Sequence, residues 1–106
     1  MARSGSPLDN ERVAERLRLL RKAVSGDNQT AFAARLGIDV RRWNNFERGS
    51  PLSKEIAFRL VQTVPGVSLD WIYLGRLETL PFALREELEA AGKATRAPAG
   101  AGAKRA

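Results

Sequence analysis

The sequence predicts an all-α domain on the basis of three observations. Apolar residues recur at intervals of three and four along most of the chain, which is the period of amphipathic helices. These stretches begin after residues that cap helices, such as Ser, Asp and Asn, and they end at glycine or proline. No stretch shows the strict alternation of apolar and polar residues that is typical of a half-buried strand. The length of 106 residues suits one domain with a modest core.

Three helices are predicted in the first half of the chain, and each is followed by a glycine, which commonly ends a helix in a left-handed conformation. The N-cap of the first helix is either Ser6, with Pro7 at the first helical position, or Asp9. The other N-caps are Asn28 and Asp39, and the three helices end at Gly26, Gly37 and Gly49. The residues predicted to face inward are Val13, Leu17, Leu20, Val24, Phe32, Ala33, Leu36, Trp43 and Phe46.

Three more helices are predicted between residues 53 and 92. The fourth presents Ile56, Leu60 and Val61 inward, and the side of the chain that Val64 faces is left open. The fifth is short, and the sixth has the sequence PFALREELEAA. Their limits are marked by Ser53 and Pro65-Gly66 for the fourth helix, Ser68 for the start of the fifth, and Thr79, Pro81 and Gly92 for the sixth.

Composition narrows the classes of function. The chain has no cysteine and no histidine, which removes disulfides, thiolate metal sites and the commonest general base. No Gly-rich phosphate loop is present, and no apolar run approaches the roughly 20 residues that span a bilayer. We therefore expect neither an enzyme nor a membrane protein, and we expect no cofactor and no bound metal.

The positive charge is unevenly distributed. The net charge is +6, yet residues 4–92 contain 13 basic and 12 acidic side chains, so that most of the excess lies in the flanks. Within the domain, the segment from Arg35 to Lys54 holds five basic residues against Asp39 and Glu47. A local basic patch on a nearly neutral body is typical of a surface that binds a polyanion.

The segment NQTAFAARLGIDVRRWNNFERG, residues 28–49, contains two short predicted helices joined by a glycine turn, the outline of a helix-turn-helix. It resembles the Cro/C1-type family of phage repressors and bacterial regulators. NQTAFAARLGI is similar to that family's polar cap, glutamine, small alanine and Leu-Gly-hydrophobic run, and W–NNFERG is similar to the end of its recognition helix. GVSLDWIYLG, residues 66–75, resembles the family's fifth helix, and the likeness covers roughly residues 11–75.

The resemblance implies a five-helix lambda-repressor-like DNA-binding domain over residues 7–75. A flexible N-terminal arm, residues 1–6, precedes it. A sixth helix, residues 76–92, follows and is available for dimerisation. Residues 93–106 are expected to form a disordered basic tail, because they contain Ala, Gly, Pro and four cations but no large apolar residue.

The resemblance also implies which residues contact duplex DNA. Trp43 and Phe46 wedge the third helix onto the core, so that its opposite face fits the major groove, where arginine pairs with guanine and asparagine with adenine. Val40 stands where a polar residue is frequent and offers only apolar contact. The residues expected to read bases are Val40, Arg41, Asn44 and Asn45, and those expected to bind phosphates are Asn28, Gln29, Arg42, Arg48 and Lys54. For Arg42 and Asn44, backbone and base contacts both remain open.

Two further expectations concern the packing of the helices. The resemblance implies a partly buried ion pair between Arg21 and Glu47, which ties the first helix to the end of the third. The sixth helix carries an apolar stripe that must be covered. It either folds back near Trp71 and Leu74 or packs against a second copy. We expect the second arrangement, because a two-fold dimer also spaces two DNA half-sites. The stripe consists of Leu80, Leu84, Leu88 and Ala91.

The leading hypothesis is a sequence-specific, double-stranded-DNA-binding transcriptional regulator, a repressor that binds a two-fold operator as a homodimer. It would act in the bacterial cytoplasm, associated with the nucleoid. The alternative is an antitoxin-like or adaptor protein whose helical domain mainly binds a co-encoded protein partner.

Overall fold

The computed structural model describes residues 9–96, which form six α-helices and one turn of 3-10 helix and contain no β-strand. The predicted all-α class is confirmed. The predicted N-terminal arm, the candidate cap Ser6 and residues 97–106 of the predicted tail lie outside the described residues. The helices are α1 (Asn10–Ser25), α2 (Gln29–Leu36), α3 (Val40–Glu47), α4 (Lys54–Thr63), α5 (Leu69–Leu74) and α6 (Phe82–Arg96), and the 3-10 turn is Leu77–Thr79.

The first five helices begin at the N-caps that the sequence predicts. Of the two candidates for α1, the observed cap is Asp9, whose carboxylate accepts from the backbone N–H of Glu11 at 3.0 Å. Each cap satisfies a backbone donor that has no partner inside the helix. The caps of α2 to α5 are Asn28, Asp39, Ser53 and Ser68.

The core is one apolar cluster to which all six helices contribute. Its aromatic centre joins α2 to α3, because the rings of Phe32 and Trp43 pack with centroids 4.8 Å apart and both side chains are fully buried. Val64, whose direction the sequence leaves open, is buried as well. Val24 and Val61, which were expected inward, are only partly buried and pack at the edge of the cluster.

A turn of three residues joins α2 to α3. It opens with Gly37, whose φ of 76° lies in the left-handed region that favours glycine. Arg59 of α4 reaches this turn, and its Nη1 donates to the carbonyl oxygen of Leu36 at 2.9 Å. The guanidinium thus satisfies a carbonyl at the C-terminal end of α2, where intrahelical partners run out. The turn is therefore fixed both from within and by α4.

The predicted end of the sixth helix is wrong. α6 continues through Gly92 to Arg96, so that residues 93–96 belong to the helix and not to the tail. A glycine ends a helix when it adopts the left-handed conformation, and Gly92 is not among the glycines with positive φ. The last turns of α6 lie along α1, where a Cβ on Gly92 would meet Leu19 Cδ2 at 3.6 Å. This packing supports the helix beyond the position where the sequence pattern predicts a stop.

The expectation that the apolar stripe of α6 packs against a second copy is also wrong. Leu80, Leu84 and Leu88 are buried within the single chain and belong to its core cluster. The chain can return in this way because Gly66, with φ of 90°, has no side chain where Pro81 passes. A Cβ at Gly66 would lie only 2.8 Å from Pro81 Cγ. The close approach at Gly66 therefore allows the chain to return so that α6 packs on α1.

We expect Leu88→Ala to lower the free energy of unfolding by about 2–5 kcal/mol, because it removes a buried side chain and leaves a cavity. The matched control is Leu77→Ala, since Leu77 is half exposed. Urea denaturation followed by circular dichroism measures both variants. Equal, small losses would contradict the placement of α6 in the core of the single chain.

Candidate nucleic-acid interface

A buried ion pair fixes the C-terminal end of α3. Glu47, the last residue of α3, is 3% exposed, and Arg21 of α1 is 6% exposed. Arg21 Nε donates to Glu47 Oε2 and Arg21 Nη2 donates to Glu47 Oε1, both at 2.9 Å. This is the bidentate geometry in which arginine pairs most strongly with a carboxylate. The predicted pair is therefore confirmed, and it is more deeply buried than expected.

Two other helical side chains complete the environment of the Glu47 carboxylate. The indole N–H of Trp43 donates to Oε2, and Gln29 Nε2 donates to Oε1 at 3.0 Å. The carboxylate thus accepts hydrogen bonds from residues of α1, α2 and α3. A buried charge is tolerated when it is paired and its remaining lone pairs are satisfied, and both conditions are met here. We call this group of side chains, Arg21, Gln29, Trp43 and Glu47, the Glu47 cluster.

Arg21 also stabilises the end of its own helix. Its Nη1 donates to the carbonyl oxygen of Gly26 at 2.8 Å. The hydrogen bonds to Glu47 raise the pKa of the Arg21 guanidinium above its ordinary value, although burial acts in the opposite direction. Arg18, one turn before Arg21, donates to the backbone carbonyl of Glu47. α1 therefore binds both the side chain and the backbone of Glu47, through Arg21 and Arg18 respectively.

The Glu47 cluster also orients two amide side chains. An ionised carboxylate only accepts hydrogen bonds, so it must face the NH₂ group of Gln29 and not its carbonyl oxygen. The same Gln29 nitrogen donates its second hydrogen to Asn44 Oδ1 at 3.1 Å. The NH₂ group of Asn44 therefore points away from Gln29, and no described residue accepts from it. The buried carboxylate therefore fixes, through Gln29, the orientation of the amide of Asn44, a partly exposed residue of α3.

The outer face of α3 presents three of the predicted site residues to solvent: Arg41, Arg42 and Asn45. The Arg41 side chain is 91% exposed, and its Nε lies 3.8 Å from the carboxylate of Asp39. The Arg42 guanidinium lies 5.7 Å from the centroid of the Phe46 ring, a cation–π distance. Val40 and Asn44, also predicted as base contacts, are only partly exposed, and Val40 packs against the core.

The predicted phosphate contacts divide into two groups. Arg42, Arg48 and Lys54 are exposed, and none of them makes an ion pair within residues 9–96. Gln29 differs, because both hydrogens of its amide are donated inside the protein. Its side chain keeps no N–H for a phosphate while those bonds hold. The side-chain oxygen of Asn28 accepts from the backbone N–H of Ala31 at 2.9 Å, as expected for an N-cap.

The exposed surface around α3 is more basic than the sequence suggests. Counting charges along the chain sets Glu47 against the local cations, but Glu47 is buried and paired with Arg21 of another helix. The other acidic residue between Arg35 and Lys54 is Asp39, which is exposed and caps α3. Burial of Glu47 therefore leaves the arginines of the outer face without its opposing charge.

The links from Gln29 to Asn44 and from Trp43 to Glu47 were not foreseen from the sequence. A signal was present for the second, because Trp43 and Glu47 are four residues apart and lie on one side of α3. A buried indole N–H needs an acceptor, and Glu47 was within reach. The contact between Gln29 and Asn44 depends on the angle between α2 and α3, which no local pattern reports.

Neither a membrane-spanning helix nor an acidic metal-binding group is found among residues 9–96. No helix there combines the length and the hydropathy needed to cross a membrane. Nor do three or more carboxylate side chains lie together so as to hold a metal ion. Comparisons of the chain with models of protein families, with curated proteins and with solved structures found no match.

We expect Glu47→Ala to cost about 3–5 kcal/mol of stability, because it leaves Arg21 buried without its partner. The matched control is Glu55→Ala, which removes a carboxylate 3.0 Å from Arg59 in an exposed pair. Such a pair contributes about 0–1 kcal/mol. Urea denaturation at neutral pH measures both, and a loss for Glu47→Ala no larger than that for Glu55→Ala would contradict the role assigned to the cluster.

Proposed function

We propose that the protein is a sequence-specific, double-stranded-DNA-binding transcriptional regulator, a repressor, in which α2 and α3 form a helix-turn-helix of the lambda-repressor type. The observation that carries the proposal is the outer face of α3. It presents Arg41, Arg42 and Asn45 to solvent, while the opposite face is anchored by Trp43 and the Glu47 cluster. The proposal assigns the protein no enzymatic activity and no cofactor.

The shape of this face suits the major groove of B-DNA. The groove is about 12 Å wide, and an α-helix with its side chains measures about 10–12 Å across. Arg41 and Asn45 are four residues apart and therefore lie on the same side of α3. Both are exposed and are the types of side chain that contact guanine and adenine edges. We assign base reading to these two residues and to Asn44, with Val40 at the edge of the contact.

The charges near α3 suit the DNA backbone. Arg42, Arg48 and Lys54 are exposed and lack ion-pair partners in the described part of the chain, so their full charge is available to phosphates. The N-terminus of α2 adds backbone N–H groups beside Asn28. Because its side chain is engaged with Glu47 and Asn44, Gln29 contributes through this backbone and through its hold on Asn44.

Asn44 has a defined chemical preference in this proposal. Its carbonyl oxygen accepts from Gln29, so the group it offers to a ligand is the NH₂ donor. A donor in the major groove matches N7 or O6 of guanine, N7 of adenine or O4 of thymine. It does not match the amino group of cytosine. Asn44 therefore selects for an acceptor at the base position that it faces.

One short helix reads only a few base pairs, so the proposal includes two copies of the protein on a two-fold operator. In the bacterial cytoplasm, such a protein would block transcription by occupying the operator. Selection of bound sites from random duplex DNA tests the whole proposal, since it reports both binding and any two-fold symmetry of the selected sites. Recovery of no enriched sequence would contradict it and favour the alternative of a protein partner.

We expect Arg41→Ala and Asn45→Ala each to weaken binding to the selected site about 5- to 150-fold, which corresponds to roughly 1–3 kcal/mol of discrimination per base contact. Binding to random duplex DNA should change much less. The control is Arg76→Ala, which removes an exposed cation outside α2 and α3. Fluorescence anisotropy at one salt concentration measures all three. If Arg41→Ala weakens both duplexes equally, Arg41 is a phosphate contact and not a base contact.

We expect Asn44→Asp to change the preferred base at one position of each half-site. The aspartate can still accept from Gln29, but it offers an acceptor where Asn44 offers a donor. Site selection with the variant should lose the base that presents an acceptor there. Glu55→Gln, an equally small change at an exposed position of α4, is the control and should leave the selected sequence unchanged. An unaltered preference for Asn44→Asp would place Asn44 outside the base contact.

A further inference from the structure

Exposed apolar side chains gather at one groove on the side formed by α1, α5 and α6. Within residues 9–96, four large apolar side chains are exposed, and three of them, Leu74, Leu77 and Phe82, lie at this groove. Phe82 is 66% exposed, the highest value of the four. The groove has a volume of about 630 Å³, and Leu19, Trp71 and Leu88 are among the residues that line it. Apolar groups concentrated in this way are typical of a contact surface.

α6 presents a second line of residues along this groove, distinct from its buried stripe. Phe82, Arg85, Glu89 and Gly92 follow each other at intervals of three, four and three, the spacing at which residues of one helix meet a partner helix. Arg85 and Glu89 are exposed and carry opposite charges. Neither makes an ion pair within the described residues.

We propose that this groove binds a second copy of the same chain, with the two α6 helices antiparallel about a two-fold axis near residue 87. In this register, Arg85 of each copy faces Glu89 of the other, which forms two equivalent ion pairs. The same register places Phe82 of each copy opposite Gly92 of the other. A surface that pairs with itself in this way is what a two-fold dimer requires.

Gly92 supplies the space that this arrangement needs. Packing on α1 does not demand a glycine there, because an added Cβ would make ordinary contact with Leu19 at 3.6 Å. A glycine inside a helix is less stable than an alanine, so its presence in α6 is unexplained by the single chain. Opposite an aromatic ring, the missing side chain leaves room for that ring to enter the groove beside Trp71 and Leu88.

The dimer surface and the proposed DNA contacts use different residues. The groove is lined by α1, α5, α6 and the segment that joins the last two, and none of the residues assigned to bases or phosphates is among them. The inference takes its purpose from the proposed function, since two copies would read two half-sites. Self-association is measured without DNA, however, so that the two proposals can fail separately.

Sedimentation equilibrium on the full chain in the absence of DNA, up to about 1 mM protein, tests the proposal. The wild type should dimerise, and Phe82→Glu and Arg85→Glu should each raise the dimer dissociation constant by about tenfold or more. The double variant Arg85→Glu with Glu89→Arg exchanges the two charges and should return to within about threefold of the wild type. Circular dichroism confirms that each variant is folded.

Phe58→Glu is the matched control, because Phe58 is a half-exposed phenylalanine on α4, away from the groove. It should leave the dissociation constant unchanged. A wild type that stays monomeric over the whole range overturns the proposal, as does a dimer that withstands Phe82→Glu. Failure of the double charge exchange to restore the dimer overturns the antiparallel register, and dissociation by Phe58→Glu in place of Phe82→Glu assigns the contact to α4.

Discussion

The position of α3 depends on the carboxylate of Glu47. Because it is buried, it must be satisfied within the protein, and its donors come from Arg21 on α1, Gln29 on α2 and Trp43 on α3 itself. Leaving one member of a buried ion pair without its partner costs several kcal/mol, so these helices can pack in few other ways without a large penalty. The apolar core favours burial of Trp43, but a core of this kind tolerates small shifts. The hydrogen bonds to the Glu47 carboxylate are directional, so they fix the orientation of α3 relative to α1 and α2.

In the eight residues of α3, the side chains that pack in the interior are separate from those that face solvent. One side of α3 is engaged with the interior through Trp43, Phe46 and Glu47, whereas Arg41, Arg42 and Asn45 have no structural role beyond local contacts. Asn44 lies between the two sides, because it accepts a hydrogen bond from Gln29 and is only partly exposed. The proposed DNA contact therefore rests on a helix whose orientation does not depend on Arg41, Arg42 or Asn45.

Much of the fold was predictable because its signals are local. The N-caps Asn28, Asp39 and Ser53 precede periodic apolar residues, and each occupies the predicted position. The failures concern non-local packing. Gly92 is of the residue type that commonly ends a helix, but α6 packs on α1 at this position and continues to Arg96. The apolar stripe predicts that some surface covers it but not which one. In the structure the chain's own core covers it, and the absence of a side chain at Gly66 allows this path. For the site, residue types identified the exposed face of α3, whereas the engagement of Gln29 required the three-dimensional angle between two helices.

The link from Glu47 through Gln29 to Asn44 has a consequence for how such a protein can change in evolution. Substitutions at exposed positions such as Arg41 and Asn45 should change the free energy of unfolding by only about 0.5 kcal/mol or less, so any recognition code carried there is open to drift and to selection. Position 44 is less free, because a replacement that cannot accept from Gln29 leaves a donor beside the buried carboxylate without a partner. Among related sequences, we therefore expect position 44 to vary less than positions 41 and 45.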